Sequence, residues 1–164
     1  MTVAQEFEQA NTKYVSQFTK GDLALPPARK VAIVVCMDAR IDPAAALGLS
    51  EGDAHVIRNA GGRTSDALRS IIISQRLLGT REIVIIHHTD CGMLTFTDVQ
   101  LRDIVQKDTG HNVDHFAFLP FLNVEQSVRD DVDYIKSSPL VLDTPVSGYV
   151  YDVKTGSINK VVSK

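Results

Sequence analysis

Tryptophan is absent from the 164 residues and cysteine occurs only twice, at Cys36 and Cys91. Two cysteines are too few for a disulfide framework, and their scarcity is the usual condition of a reducing compartment. No apolar run approaches the roughly 20 residues that cross a bilayer. The N-terminal segment is polar and helix-like, without the basic stretch and apolar core of a secretory leader. Neither sign of charge dominates: 17 Lys and Arg stand against 20 Asp and Glu, a net charge of -3. A phosphate-binding surface needs a concentrated basic face, so nucleic acid is not an expected partner. These absences predict a cytoplasmic protein that acts on a small molecule, with neither a membrane nor a nucleic acid as partner.

What is present is an ordinary globular composition, 44% apolar and 23% charged, in a length suited to one domain over residues 1–164. Three apolar runs read as strands: Val31 to Cys36, His55 to Arg58, and Glu82 to His88. Apolar residues at successive positions mark parallel strands covered on both faces. Between the second and third runs, Ser65 to Leu78 has helical character, with Thr64 or Ser65 as a cap and Gly79 as a stop. This is a βαβ unit. Further helices are predicted over Asp98 to Lys107 and Asn123 to Lys136, the latter with Asn123 and Gln126 as a capping box. Strand character returns in Val146 to Val153 and, after a turn at Lys154-Thr155-Gly156, in Ser157 to Val162. The expected fold is α/β: a parallel central sheet of order about 2-1-3-4, a late antiparallel edge strand and helices on both faces. An N-terminal helical arm over about residues 1–20 precedes it.

The segment Ser65 to Leu78 carries Leu68, Ile71, Ile72, Ile73, Leu77 and Leu78, an apolar surface wider than one sheet contact needs. That width predicts a second buried face, against a partner subunit or within a monomer's core. The irregular stretch His111 to Leu122 contains Phe116, Phe118 and Phe121, suited either to cover a pocket or to seal the core.

Ligand sites in open α/β sheets lie beyond the carboxyl ends of the strands, where strand order reverses. Both cysteines fall there. Cys36 closes the first strand and His88 the third, with Cys91 three residues on. Two thiolates and an imidazole suit Zn2+ with a fourth position open to water, as in catalytic rather than structural zinc sites. Because two thiolates neutralise the ion's charge, the bound water should ionise somewhat above the value near 7 typical of three imidazoles. Asp38 and Arg40 lie just past the strand end. A carboxylate there either accepts a hydrogen bond from the zinc hydroxide or binds the metal itself; Arg40 would hold Asp38 away from the metal and ionised. The residues also leave open a closed structural zinc site and a thiol redox pair. His87 and His55 are expected in the core or behind the site, and His111 and His115 in a solvated loop.

The segments Cys36-Met37-Asp38-Ala39-Arg40, Arg58-Asn59-Ala60-Gly61-Gly62 and His88-Thr89-Asp90-Cys91-Gly92 resemble, in order and spacing, β-class carbonic anhydrases. The resemblance is specific from about Lys30 to Leu94, and the short chain is similar to the compact branch that includes carbonyl sulfide and carbon disulfide hydrolases. It implies Zn2+ on Cys36, His88 and Cys91, catalytic roles for Asp38 and Arg40, and attack of zinc-bound hydroxide on CO2 or carbonyl sulfide. It further implies a homodimer or higher homo-oligomer, and a substrate contact from the Gly92 N–H. Larger members carry a longer N-terminal arm than the residues that precede the first strand here, and a bicarbonate-holding glutamine to which no position of this sequence is assigned. Which linear substrate is preferred stays open at this level.

Overall fold

In the computed structural model, which describes residues 1–164, Val31–Cys36 (β1) is buried at every position. It lies between two parallel neighbours, Ala54–Asn59 (β2) and Glu82–His88 (β3). Val146–Tyr151 (β4) continues the sheet parallel to β3, and Ile158–Ser163 (β5) closes that edge antiparallel. The order β2-β1-β3-β4-β5 is the one expected, with the antiparallel strand at its end. From β1 the chain moves outward to β2, then crosses back to place β3 on the other side. The carboxyl ends of β1 and β3 therefore flank the switch point, and Cys36 and His88 are the last residues of those strands.

Thr64–Leu78 (α3) and Val124–Ser137 (α5) cover one face of the sheet. Ala67 and Ile71 of α3 meet Val132 and Ile135 of α5 over Val34, Ile83, Ile85 and Val146, a dry core built from helical and strand periodicities together. The opposite face carries Val31, Ile33, Val35 and Ile86 with Ile41, Met93 and Phe121. Its cover is thinner. The short helix Pro43–Leu47 (α2), capped by the Asp42 carboxylate, places Leu47 there, and an apolar groove lined by Val31, Ile33, Leu47, Leu49, Val84 and Tyr149 stays open beside it. Val3–Val15 (α1) and Asp98–Thr109 (α4) bury none of their residues.

Several local expectations need correction. Neither Thr64 nor Ser65 caps α3: Arg63 holds the cap position without a side-chain bond, and the Thr64 N–H donates to Asp131 Oδ2 of α5 at 2.9 Å. Tertiary contact does there what a local cap does elsewhere. Asn123 does cap α5, but Gln126 turns outward to Asp130 instead of closing the box. Strand β2 is a sheet edge with Val56 and Arg58 exposed, so its apolar run is not covered on both faces. Helix α2 was not anticipated because five residues are too few for periodicity to register. Along α3, Ile71 is buried while Ile73 and Leu77 are exposed, so part of the wide stripe remains uncovered. No helix is long and apolar enough to cross a membrane.

Candidate metal centre

Three turns converge at the switch point. The first follows Cys36, where the chain leaves the sheet, and it is clamped from the edge strand. Arg58 donates to the Cys36 carbonyl through Nε at 3.0 Å and Nη2 at 2.9 Å, and to the Asp38 carbonyl at 2.7 Å. Sequence reasoning cited Arg58 only within a motif; its place near the carboxyl end of β2, level with Val35 beside Cys36, was the available signal.

Within that turn Arg40 grips Asp38. Nε reaches Oδ1 at 3.0 Å, Nη2 reaches Oδ2 at 2.8 Å, and the Arg40 backbone N–H also donates to Oδ1 at 2.9 Å. These bonds, the guanidinium's first, hold the Asp38 carboxyl well below the usual carboxylate range against the opposing effect of burial. Arg40 also donates to Asp90, at 2.7 Å to Oδ2 and 3.0 Å to the carbonyl. Asp90 takes a left-handed conformation, φ 54°, which turns the chain between His88 and Cys91. One guanidinium thus ties the Cys36 loop to the His88–Cys91 loop.

His88 is fully buried, and its Nδ1 donates to the Thr89 carbonyl at 2.8 Å. That bond fixes the tautomer and leaves a lone pair on Nε2. Nε2 is buried without a hydrogen-bond partner and lies 3.8 Å from Asp38 Oδ2. Burial disfavours protonation of His88, but the Cys36 sulfur, the Thr89 carbonyl and Asp38 outweigh it and raise its pKa.

Cys36 and Cys91 are free and buried, and the donor atoms of Cys36, His88 and Cys91 all lie within 4.8 Å of one another. The two cysteines are shifted in opposite directions. Cys36 is pushed down to about 4, foremost by the hydrogen bond from Cys91, with His88 and the N–H groups of Asp38 and Gly61 adding to it against burial. Cys91, the donor in that pair, is held up correspondingly. A cation would displace the remaining proton. An anionic sulfur, a second sulfur able to become one and an orphaned imidazole lone pair form a donor set that fits Zn2+ and leaves a coordination position unfilled.

Beyond the donors opens a cavity of about 460 Å³. Its polar end is Asp38 with the cysteines and His88; its wall is Met93, Phe96, Leu101 and Phe118, and Gly92 lines it as well. The phenylalanine-rich stretch serves both expected purposes. Phe118 faces the cavity, held by its N–H to Asp98 Oδ1 at 2.7 Å, while Phe121 is buried and stacks on His87 at 5.4 Å. His87 is in the core as expected. His55 is only half-buried on the edge strand, bonded to Ser74 at 2.7 Å, and His111 and His115 are exposed.

The carbonic anhydrase family model matches residues 31–158, well past the segment in which the sequence resemblance was specific. β-Carbonic anhydrase 1 of Mycobacterium tuberculosis is 47% identical over 163 residues, 98% of this chain and 99% of that protein. The solved carbonic anhydrase from Glaciozyma antarctica is 54% identical, with a TM-score of 0.94 over 99% of this chain and 100% of its own. Carbon disulfide hydrolase of Acidithiobacillus thiooxidans is more distant, 32% identical over 96% of this chain and 90% of its own. The sheet, the cysteine–histidine cluster and the family match together make this chain a member of the β-carbonic anhydrase family of metalloenzymes.

Proposed function

We propose that the protein hydrates CO2 to bicarbonate, with Cys36, His88 and Cys91 holding Zn2+. The observation that carries this reading is the orphaned His88 Nε2, set among two cysteine sulfurs at the polar end of a largely apolar cavity and beside an immobilised carboxylate. Bound there, Zn2+ supplies a Lewis acid that generates a nucleophile from water near neutral pH. Asp38 keeps its charge and accepts the O–H of the attacking water through a carboxylate oxygen, which aims a lone pair into the cavity. Arg40 acts by keeping Asp38 turned and ionised. Met93, Phe96, Leu101 and Phe118 exclude bulk water and admit a linear apolar molecule. The Gly92 N–H is assigned to the substrate's developing negative charge.

A second substrate, carbonyl sulfide, is favoured by one observation: no amide side chain lines the cavity to hold bicarbonate, and its wall is apolar and polarizable. Hydrolysis would give a thiocarbonate that decays to CO2 and hydrogen sulfide. The test is side-by-side turnover of CO2 and carbonyl sulfide on one zinc-loaded preparation. Turnover of both supports the double assignment; rapid CO2 hydration with carbonyl sulfide untouched removes the second substrate and keeps the first.

We also read residues 1–164 as one domain that works as a homodimer or a multiple of it. The exposed Ile73 and Leu77 of α3, with Phe7, Tyr14 and Phe18 of the uncovered N-terminal segment, are the surfaces a second copy would cover. Sedimentation at micromolar concentration tests this, and a monomer would contradict it without touching the chemistry.

A further inference from the structure

Behind the metal centre lies a buried polar network that the reaction does not use directly. Asp131 of α5 is 2% exposed and its carboxylate is fully engaged. Oδ2 accepts the Thr64 N–H at 2.9 Å and faces His87 Nε2 at 3.2 Å; Oδ1 pairs with Arg63 Nη2 at 3.0 Å. His87 Nε2 also lies 3.2 Å from the Gly62 carbonyl, so this nitrogen faces two acceptors and carries a proton. On the other side of the ring, Nδ1 bonds Ser127 at 2.7 Å, and Phe121 stacks on its face. His87 is thus held from all sides while it holds Gly62.

The held turn matters because of where it goes. Gly61 and Gly62 both have positive φ, 76° and 68°, and wedge between the ends of β1 and β3. A Cβ on Gly62 would lie 3.0 Å from both the Cys36 nitrogen and the Ile86 oxygen. Gly62 therefore packs directly against the Cys36 backbone. Asn59 closes the far side of the turn, accepting from the Arg63 N–H at 2.7 Å and donating to the Arg63 carbonyl at 2.9 Å. A continuous chain of contacts therefore runs from Asp131 through His87 and Gly62 to the backbone of one metal-binding cysteine.

We propose that Asp131 and His87 are positioning residues for the metal centre: they fix the Gly61–Gly62 turn and so the donor geometry of Cys36. A turn packed against a ligand's backbone fixes where its donor atom sits, and partners standing behind ligands typically govern about 10- to 100-fold in metal affinity. This role rests on the zinc assignment to Cys36. It differs from simple core packing in predicting a change at the metal without a comparable loss of fold.

The experiment measures zinc affinity by competition with a chromophoric chelator, and the thiolate-to-metal charge-transfer bands of the Co2+-substituted protein. Full-length protein and the variants Asp131→Asn, His87→Ala and His87→Gln are compared, with circular dichroism as the check on folding. Asp131→Asn and His87→Ala should bind zinc at least about 10-fold more weakly and shift the Co2+ bands. His87→Gln, whose amide N–H can replace Nε2–H toward Gly62, should restore most of both. Should Asp131→Asn not fold, the two His87 variants decide. Folded variants with wild-type affinity and an unaltered Co2+ spectrum would overturn the proposal, as would a His87→Gln no better than His87→Ala. Failure of the wild-type protein to bind zinc would instead reject the zinc assignment itself.

Discussion

Arg40 engages both carboxylate oxygens of Asp38, through Nε at 3.0 Å and Nη2 at 2.8 Å, and keeps Oδ2 3.8 Å from the free nitrogen of His88. The carboxylate is near the donor set without belonging to it. A planar guanidinium makes this grip directional, which a lysine's point charge would not. Asp38→Asn should therefore lower kcat for CO2 by about 100-fold or more, since the attacking water loses its charged acceptor. Arg40→Ala should lower it too, by freeing Asp38 to turn toward the metal. Steady-state kinetics at matched zinc content checks both, and full activity in Asp38→Asn would remove Asp38 from the mechanism.

The same grip fixes a pH dependence. Asp38 has a depressed folded-state pKa, so its contribution to stability is present above the ordinary carboxylate value of about 3.9 and is lost only as pH falls through the lower folded value. Asp38 accordingly stays ionised across the neutral range, so a fall of activity between neutral and mildly acid pH would not be its titration. Arg40→Ala should bring the Asp38 carboxyl back up toward its ordinary range. Acid unfolding of that variant should then begin at higher pH than in the wild type. Coincident acid transitions would show that Arg40 does not control Asp38.

The opposed shifts of the two cysteines give the metal-free protein an asymmetric reactivity. Cys36 is held below the ordinary thiol range, foremost by its interaction with Cys91, and Cys91 is held above it, so Cys36 has the greater thiolate character. After zinc is stripped, iodoacetamide should label Cys36 before Cys91, and zinc should protect both. Peptide mass spectrometry over a time course reads the order. Equal labelling, or Cys91 first, would contradict the arrangement.

Gly62 offers a test of the turn that needs no charged residue. Its φ of 68° and the backbone atoms of Cys36 and Ile86 leave no room for a side chain. Gly62→Ala should cost about 1–2 kcal/mol from the left-handed backbone alone, with the clash adding to it. Zinc should also be held less tightly, because the displaced atom is the Cys36 nitrogen. Thermal melts and metal analysis measure the two effects, and a variant as stable and as fully loaded as wild type would contradict the close packing.

The sheet was legible because β1 is apolar at every position and β3 from Ile83 to Ile86: Val31–Cys36 reads as an interior strand, and its last residue marks the switch point. Cys36, His88 and Cys91 stood out as the cysteines and a histidine at two such ends, and the structure brings their donor atoms together. Contacts that join distant segments were not legible. Asp131 lies 67 residues from the Thr64 N–H it accepts, and Arg40 lies 50 residues from Asp90. An aspartate on a helix reads as a solvated charge, and only α5 packing against β3 turns Asp131 inward. Gln126 shows the reverse: its spacing fits a capping box, yet Asp130 one turn on takes its amide.

The central claim is a catalytic zinc on Cys36, His88 and Cys91, and its most direct test is stopped-flow CO2 hydration on protein titrated from metal-free to loaded. Hydration should rise in proportion to bound zinc and level off at one ion per chain, and Cys36→Ser, His88→Ala and Cys91→Ser should neither hold the metal nor turn over. A metal-free preparation as active as the loaded one, or a fully loaded one that leaves CO2 hydration at its uncatalysed rate, would contradict the account.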